Sequence, residues 1–189
     1  MHRTVALLSF CLLASPAFAQ WRDAQGNTLP NEPQRAQVDG FGAMLLVTPD
    51  ADWKEKWDTP PETRPSYTST DTVAVGETVT VLTFFSGNGA DEMGKSNIHC
   101  DVRVTRPDGS VSSDVKDAEC ARGPAVGANY IQLLGPVIQV VAEPSDPRGV
   151  WRIEITLRDM VRNLTVPLAT QVTLIDAKAS PALRPMLSR

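Results

Sequence analysis

The sequence predicts an all-β protein, an antiparallel β-sandwich of immunoglobulin-like type with about 7–8 strands. Three observations support this fold class. Short segments in which apolar and polar residues alternate recur along the chain, and turn-forming residues separate them. Proline is abundant, with 15 residues, whereas aromatic residues make up only 6% of the chain. Helical segments do not alternate with strands, which argues against a parallel α/β fold.

Residues 1–19 have the pattern of a secretory signal peptide. Arg3 is followed by an apolar run that is too short to serve as a membrane anchor. Ala17 and Ala19 are small residues at the positions that signal peptidase requires. We therefore expect cleavage before Gln20 and a mature chain that is periplasmic or secreted. No later apolar run has the length of a transmembrane segment.

Residues 20–70 are expected to form an irregular N-terminal arm with one strand and one short helical segment. Gln20–Asp39 is polar and shows no hydrophobic period, so it should lack regular structure. Phe41–Thr48 is a short apolar run, typical of a buried strand. Thr59–Thr70 is rich in proline, threonine and serine, and it is expected to connect the arm to the main domain.

Residues 71–176 are expected to form the sandwich itself. Thr78–Phe85 alternates and is rich in β-branched and aromatic residues, which favour strands. Ile98–Arg106 also alternates, and a Pro-Asp-Gly turn joins it to a return strand at Val111–Lys116. The last two segments therefore predict a β-hairpin.

Three further strands complete the predicted sandwich. Val137–Ala142 is apolar on both faces, so we expect a central strand. Val150–Asp159 shows the most regular alternation along the chain. Leu164–Ile175 is the final strand, and Pro167 within it indicates a bulge or a sheet edge. The tail, residues 177–189, is expected to be disordered.

Two cysteines are left once the signal peptide, which contains Cys11, has been removed. An even pair in an oxidising compartment predicts a disulfide between Cys100 and Cys120. The hairpin register places Cys100 opposite Lys116, however, and Cys120 would then lie roughly 13 Å further along an extended strand. That separation is too large for a disulfide. The prediction therefore requires either a turn after Lys116 or a slip in register.

The charge and the scarcity of histidine restrict the possible functions. The formal net charge is −4 and no basic block is present, which argues against nucleic acid as a partner. After signal cleavage His99 is the sole histidine, and alternation places it on a polar face. We therefore expect no catalytic residue, no zinc site and no cofactor, so the protein should not be an enzyme. The loop carboxylates match no calcium-binding loop, and calcium binding stays open.

Six short motifs follow one another along the chain: Met44–Thr48, Trp57 with Pro60, Phe84–Gly87, Arg106–Gly109, Glu143–Gly149 and Trp151–Asp159. In this order they resemble a group of small exported bacterial proteins that have an immunoglobulin-like sandwich and no established activity. The resemblance covers most of the mature chain. It implies the fold and the compartment, but it assigns no catalytic residue.

Two tryptophans give the best indication of a binding site. Trp53 and Trp57 share one face of a short predicted helix, where they either cap the sandwich or anchor a ligand. The favoured function is a non-catalytic exported binding or assembly module that contacts another envelope protein through this segment or through a sheet edge. The alternative is a carbohydrate-binding domain in which loop aromatics, including Tyr67 and Tyr130, stack on sugar rings.

Overall fold

The computed structural model describes residues 21–22, 25–60, 63, 65–127 and 130–177. Within these residues the chain forms two β-sheets that pack face to face, which confirms the predicted β-sandwich. The predicted signal peptide lies outside the described residues, as does all of the predicted tail except Ala177.

The described part of the chain contains one short helix and ten strands, more strands than the sequence predicted. In chain order the elements are β1 (Arg35–Val38), β2 (Phe41–Thr48), α1 (Trp53–Trp57), β3 (Thr72–Ala74), β4 (Thr78–Ser86), β5 (Lys95–Thr105), β6 (Val111–Pro124), β7 (Gln132–Leu133), β8 (Ile138–Val141), β9 (Gly149–Asp159) and β10 (Leu164–Ile175).

The first sheet has the order β1-β2-β4, and β7 and β8 both pair with the other side of β4 at different points along it. The second sheet has the order β3-β10-β9-β5-β6. All neighbouring strands are antiparallel except β3 and β10, which are parallel. The first sheet therefore offers four strand positions and the second sheet five.

The hydrophobic core lies between the two sheets because the strands direct apolar side chains toward the opposite sheet and more accessible side chains outward. On β9, Ile153, Ile155 and Leu157 are buried, while the residues between them are at least partly accessible. Phe41 and Phe85 oppose them from the first sheet and are also buried. Each such side chain contributes about 1.5–3 kcal/mol through removal of apolar surface from water.

The structure corrects the prediction that residues 20–70 form an arm outside the sandwich. The described residues between 20 and 70 form two strands rather than one, and both β1 and β2 belong to the first sheet. β2 pairs with β4 along almost its whole length. The inward side chains of β2, among them Phe41 and Leu45, are part of the core. The sandwich therefore begins near Arg35 and not at residue 71.

The strand predicted at Val137–Ala142 is also placed differently. It forms β8, which pairs with β4 on one side only and is therefore an edge strand rather than a central one. Apolar residues on both faces are typical of a central strand, but they do not show that β8 has a strand on one side only. In the structure Ile138 and Val140 pack against the core, while the Val141 side chain is 55% exposed.

The predicted Cys100–Cys120 disulfide is present, and the slip in register makes it possible. Two irregularities between the turn and Cys100 move the residue opposite Cys100 from Lys116 to Ala118, and a third, between Ile98 and His99, lies beside Cys120. The Cα atoms of the two cysteines are 5.9 Å apart, within the range that a disulfide requires. The bond joins two neighbouring strands of the same sheet.

Candidate functional site

An apolar groove opens between the edges of the two sheets, where β6 ends one sheet and β8 ends the other. We call it the inter-sheet groove, and its volume is about 520 Å³. Trp151 and Ile155 of β9 lie at its base beside the Cys100–Cys120 disulfide. Its two walls carry mostly apolar side chains: Val115 and Ala118 on β6, and Ile138 and Val140 on β8.

The groove exists because the sheets have unequal widths. The five strand positions of the second sheet face four in the first, so the first half of β6 has no strand packed over it. All seven residues from Val111 to Asp117 are exposed, on both faces of the strand. Val115 is 46% exposed although its partner Val102 packs against the core. The inner face of the β5–β6 hairpin is therefore open to a ligand.

The β8 wall offers free main-chain groups. The Ala142 N–H donates to the Glu77 carbonyl at 3.0 Å, so the main-chain groups of Ala142 point toward the β4 side. Those of Val140 and Ile138, two and four residues earlier, point the same way. Because main-chain groups alternate along an antiparallel strand, those of Gln139 and Val141 point away from β4. They have no hydrogen-bond partner in the described part of the chain.

One end of the groove is acidic. Glu143 and Asp146 line it there, in the turn that follows β8. The Asp146 carboxylate accepts the Glu143 N–H at 2.9 Å, and the nearby Arg148 guanidinium pairs with Asp176 at 2.9 Å. Among the described residues, no cation pairs with the Glu143 carboxylate. This end therefore has negative charge available for a basic group.

The structure does not bring the predicted binding residues Trp53 and Trp57 into the groove. The Trp57 ring packs against Phe84 with centroids 5.5 Å apart, and the Tyr67 ring packs against the same side chain at 6.1 Å. Because Phe85 points into the core, Phe84 points to the outer face of the first sheet. Trp57 thus covers that face, while Trp53 is half-buried beside it.

A charged contact holds α1 against the following segment. The Asp50 carboxylate accepts hydrogen bonds from Lys56 Nζ at 2.7 Å and from the Thr68 N–H at 2.9 Å. These contacts, that with Lys56 first, lower the pKa of Asp50 to about 2. The carboxylate is therefore ionised throughout the neutral range, and it fixes the position from which Trp57 reaches Phe84.

His99 lies on the outer face of the second sheet, on the side that alternation predicts. Its Nδ1 is 2.9 Å from the Asp117 carboxylate, which is also 3.0 Å from Arg158 Nη2. These two contacts, that with His99 first, lower the pKa of Asp117. No hydroxyl is hydrogen-bonded to His99 within the described ranges. The cluster is an ion-pair network that ties β5, β6 and β9 together.

The residues that the structure describes also bear on metal binding and on membrane insertion. No group of three or more histidine, cysteine, aspartate or glutamate side chains is arranged to hold a metal ion there. No helix in those ranges has the length and apolar character needed to cross a membrane.

Two solved structures that are similar to this chain both have TM-scores below 0.5. No family model and no curated protein matches the chain. A family 123 glycoside hydrolase from Clostridium perfringens is similar over 71% of this chain and 27% of its own, with a TM-score of 0.41 and 8% identity. The CARDB domain of a Pyrococcus furiosus protein, solved in complex with di-metal ions, is similar over 56% of this chain and 80% of its own, with a TM-score of 0.32 and 18% identity. The chain spans about a quarter of the hydrolase, and neither similarity carries an argument about function.

The residues that form the groove were not found by sequence reasoning. The sequence places Val115 and Ile138 in predicted strands and Glu143 in the Glu143–Gly149 motif, and it indicates no site at any of them. One signal could have indicated β8: the stretch from Ile131 to Ala142 contains no charged residue. A strand that lacks charge and is nevertheless an edge strand is unusual, because edges are commonly protected by charged side chains.

Proposed function

We propose that the protein is a non-catalytic exported binding module that holds an extended apolar segment of another envelope protein in the inter-sheet groove. The observation that carries this proposal is the apolar cavity of about 520 Å³ between two free sheet edges. Occupation by such a segment would remove Val115 from water and cover Ile138 and Val140. Sheet edges that offer main-chain groups beside apolar pockets are a recurring mode of peptide recognition.

The compartment is part of the proposal. The disulfide between Cys100 and Cys120 supports a location outside the cytoplasm, where such bonds persist. The signal-peptide pattern of residues 1–19 supports export. We propose the periplasm in particular, because a partner in the envelope would be available there.

The composition of the groove supports binding rather than catalysis. Among the described residues no histidine, lysine or arginine lines it, and its two carboxylates, Glu143 and Asp146, lie at one end with no basic partner in the groove. His99 is in the network on the outer face of the second sheet. The apolar lining instead suits a ligand whose contact surface is also apolar.

Site-specific photo-crosslinking in the envelope tests the proposal with a matched pair of positions. A benzoylphenylalanine is introduced at Val115 in the groove or at Val150, which is 45% exposed against 46% for Val115. The two positions therefore differ in location and not in accessibility. We expect Val115 to give a discrete adduct with one envelope protein, and mass spectrometry should place the attachment in an extended apolar segment.

Two outcomes would contradict the proposal. Equal adducts from Val115 and Val150 would indicate non-specific contact, and no adduct from Val115 would leave the groove without a protein ligand. A charge in the groove provides a second check, because Val140→Asp should abolish the Val115 adduct. Circular dichroism of the purified variant confirms that it is folded.

Carbohydrate binding is the second candidate function, and the Tyr130 side chain, which is 64% exposed, is the observation that favours it. An exposed ring can stack on a sugar, whereas Trp57 and Tyr67 are engaged with Phe84. Titration with cell-wall fragments at millimolar concentration tests this function through tryptophan fluorescence and the mobility of the protein. A response that Tyr130→Ala removes would support it, and the absence of any response would exclude it.

A further inference from the structure

We infer that the bound segment pairs with β8 as an additional outer strand of the first sheet and carries a lysine or arginine beside Glu143. This inference rests on the proposed function, because it specifies how the segment is held in the inter-sheet groove and which chemistry it carries. Each part of it follows from a different feature of the groove.

The main chain of β8 supplies the first argument. The N–H and C=O groups of Gln139 and Val141 point away from β4 and have no partner among the described residues. A strand hydrogen-bonded to them would lie about 4.8 Å from β8. It would occupy the fifth position that the first sheet lacks, opposite the exposed inner face of β6.

The absence of charge on β8 supplies the second argument. A free edge invites pairing with other chains, and natural sheets protect such edges with charged residues. The other edge at the groove, β6, carries five charged residues: Asp114, Lys116, Asp117, Glu119 and Arg122. By contrast, β8 and its flanks from Ile131 to Ala142 carry none. An edge that is covered by a partner strand does not need that protection.

The register of β8 predicts the side chains of its partner. Ile138 and Val140 face the groove and Gln139 faces away from it. Side chains of paired strands that lie opposite one another share a face. The bound segment should therefore place apolar residues in the groove at every second position and polar residues on the outer face. The sequence of the partner segment should alternate accordingly.

The acidic end supplies the last argument. Glu143 follows β8 directly and is not paired with a cation in the part of the chain that the structure describes, while Arg148 pairs with Asp176. A basic residue at the corresponding end of the segment would complement Glu143 and Asp146. Since this end is open to solvent, the contact should affect the choice of segment and the salt dependence of binding more than the total affinity.

Synthetic peptides test both parts of the inference on the mature wild-type protein. The probe is a fluorescently labelled peptide of alternating valine and threonine with two arginines at one end. A second peptide has glutamates in place of the arginines, and a third has N-methyl groups on the backbone amides that would face β8. Fluorescence anisotropy gives the three dissociation constants, and amide hydrogen exchange reports on β8.

We expect the arginine peptide to bind about tenfold more tightly than the glutamate peptide at low salt. Glu143→Gln should reduce this preference to about threefold or less, whereas Glu92→Gln, which changes an exposed loop acid, should preserve it. The N-methylated peptide should not bind. Exchange of the Gln139 and Val141 amides should slow in the complex because these amides become hydrogen-bonded.

The outcomes separate this inference from the proposed function. Equal binding of the N-methylated peptide, or unchanged exchange at Gln139 and Val141, would overturn the strand pairing. Equal binding of the arginine and glutamate peptides would overturn the basic residue. If no peptide binds while Val115 still gives its adduct in the envelope, the inference fails and the proposed function stands.

Discussion

Arg158 and Asp101 form a bidentate ion pair that joins β9 to β5. Nη1 and Nη2 of the guanidinium lie 2.8 and 2.9 Å from the two carboxylate oxygens. Asp101 also accepts the N–H of Asp117 at 2.8 Å. These contacts, that with Arg158 first, lower the pKa of Asp101 to about 2 from its usual 3.8.

The stability of the protein should therefore depend on pH in the acidic range. Because the pKa of Asp101 is lower in the folded state than in the unfolded state, its ionised form stabilises the fold above pH 3.8. This contribution is lost as the pH falls from 3.8 toward 2. Asp101→Asn should lower the free energy of unfolding at neutral pH by roughly 1–2 kcal/mol, since the pair is only partly screened by solvent. Urea unfolding between pH 7 and pH 2 measures both effects.

Asp114→Asn is a suitable control for that experiment, because Asp114 forms an exposed pair with Lys116 at 3.1 Å. Exposed pairs contribute about 0.2–1 kcal/mol. The Asp101 variant should lose less stability than the wild type between pH 4 and pH 2, while the Asp114 variant should follow the wild type more closely. Identical pH profiles for the wild type and the Asp101 variant would contradict the assignment.

The buried carboxylate of Asp159 should be a major determinant of stability at one end of the sandwich. It accepts the N–H groups of Gly89 at 2.6 Å, Val161 at 3.0 Å and Arg162 at 3.2 Å. Asp159→Asn replaces one of the two oxygens with an N–H donor, which then faces either the Gly89 N–H or the N–H groups of Val161 and Arg162. We expect a loss of about 2–4 kcal/mol in the free energy of unfolding, measured by urea denaturation.

Asp91 allows a comparison with an exposed carboxylate of similar geometry. It accepts the N–H groups of Met93 and Lys95 at 2.9 and 2.8 Å, both through the same oxygen. Asp91→Asn keeps that acceptor and should change the stability by less than about 0.5 kcal/mol. A loss for Asp159→Asn as small as that for Asp91→Asn would refute the assigned role.

Reduction of the Cys100–Cys120 disulfide should destabilise the protein without changing its fold. The bond closes a loop with a sequence separation of 20 residues. The chain-entropy model gives about 3 kcal/mol for a loop of this length. Urea unfolding with and without a reducing agent measures the difference, and the double variant Cys100→Ala/Cys120→Ala should behave like the reduced wild type. A reduced protein as stable as the oxidised one would contradict the prediction.

Trp57 and Trp53 should differ in their effect on stability. Trp57→Ala removes the ring that packs against Phe84, and we expect a loss of about 2 kcal/mol. Trp53 makes no ring contact in the described chain, so Trp53→Ala should cost less than about 1 kcal/mol. A double-mutant cycle of Trp57→Ala with Phe84→Leu should give a coupling of about 0.5–1.5 kcal/mol. A coupling energy of zero would show that the contact between the two rings does not contribute to stability.

The strands that carry a clear side-chain pattern were predicted well. Phe41–Thr48 and Leu164–Ile175 agree with the structure at both ends, and Val150–Asp159 differs by one residue. These segments have one apolar face or a continuous apolar run, and turn residues bound them. Hydrophobic alternation and turn chemistry are local properties, so a single sequence is sufficient to read them.

The candidate site could not be predicted in the same way, because it depends on which strands are neighbours. The composition of Val137–Ala142 indicates burial on both faces, but it does not show that one side of β8 lacks a strand. Likewise, the spacing of Trp53 and Trp57 shows a shared helical face, but not that Trp57 rests on Phe84. The groove arises only when β6 and β8 are brought together from different sheets.

The parallel pairing of β3 with β10 sets the order in which the chain can fold. Thr72 pairs with Thr173, so a ribosome must add about a hundred residues after β3 before its partner exists. Until β10 is made, the edges of β9 and β3 that pair with it have no partner, and contacts between such distant segments form slowly. Synthesis therefore passes through an interval in which the second sheet is incomplete. A stop codon placed just before Leu164 would leave a polypeptide that proteases should degrade.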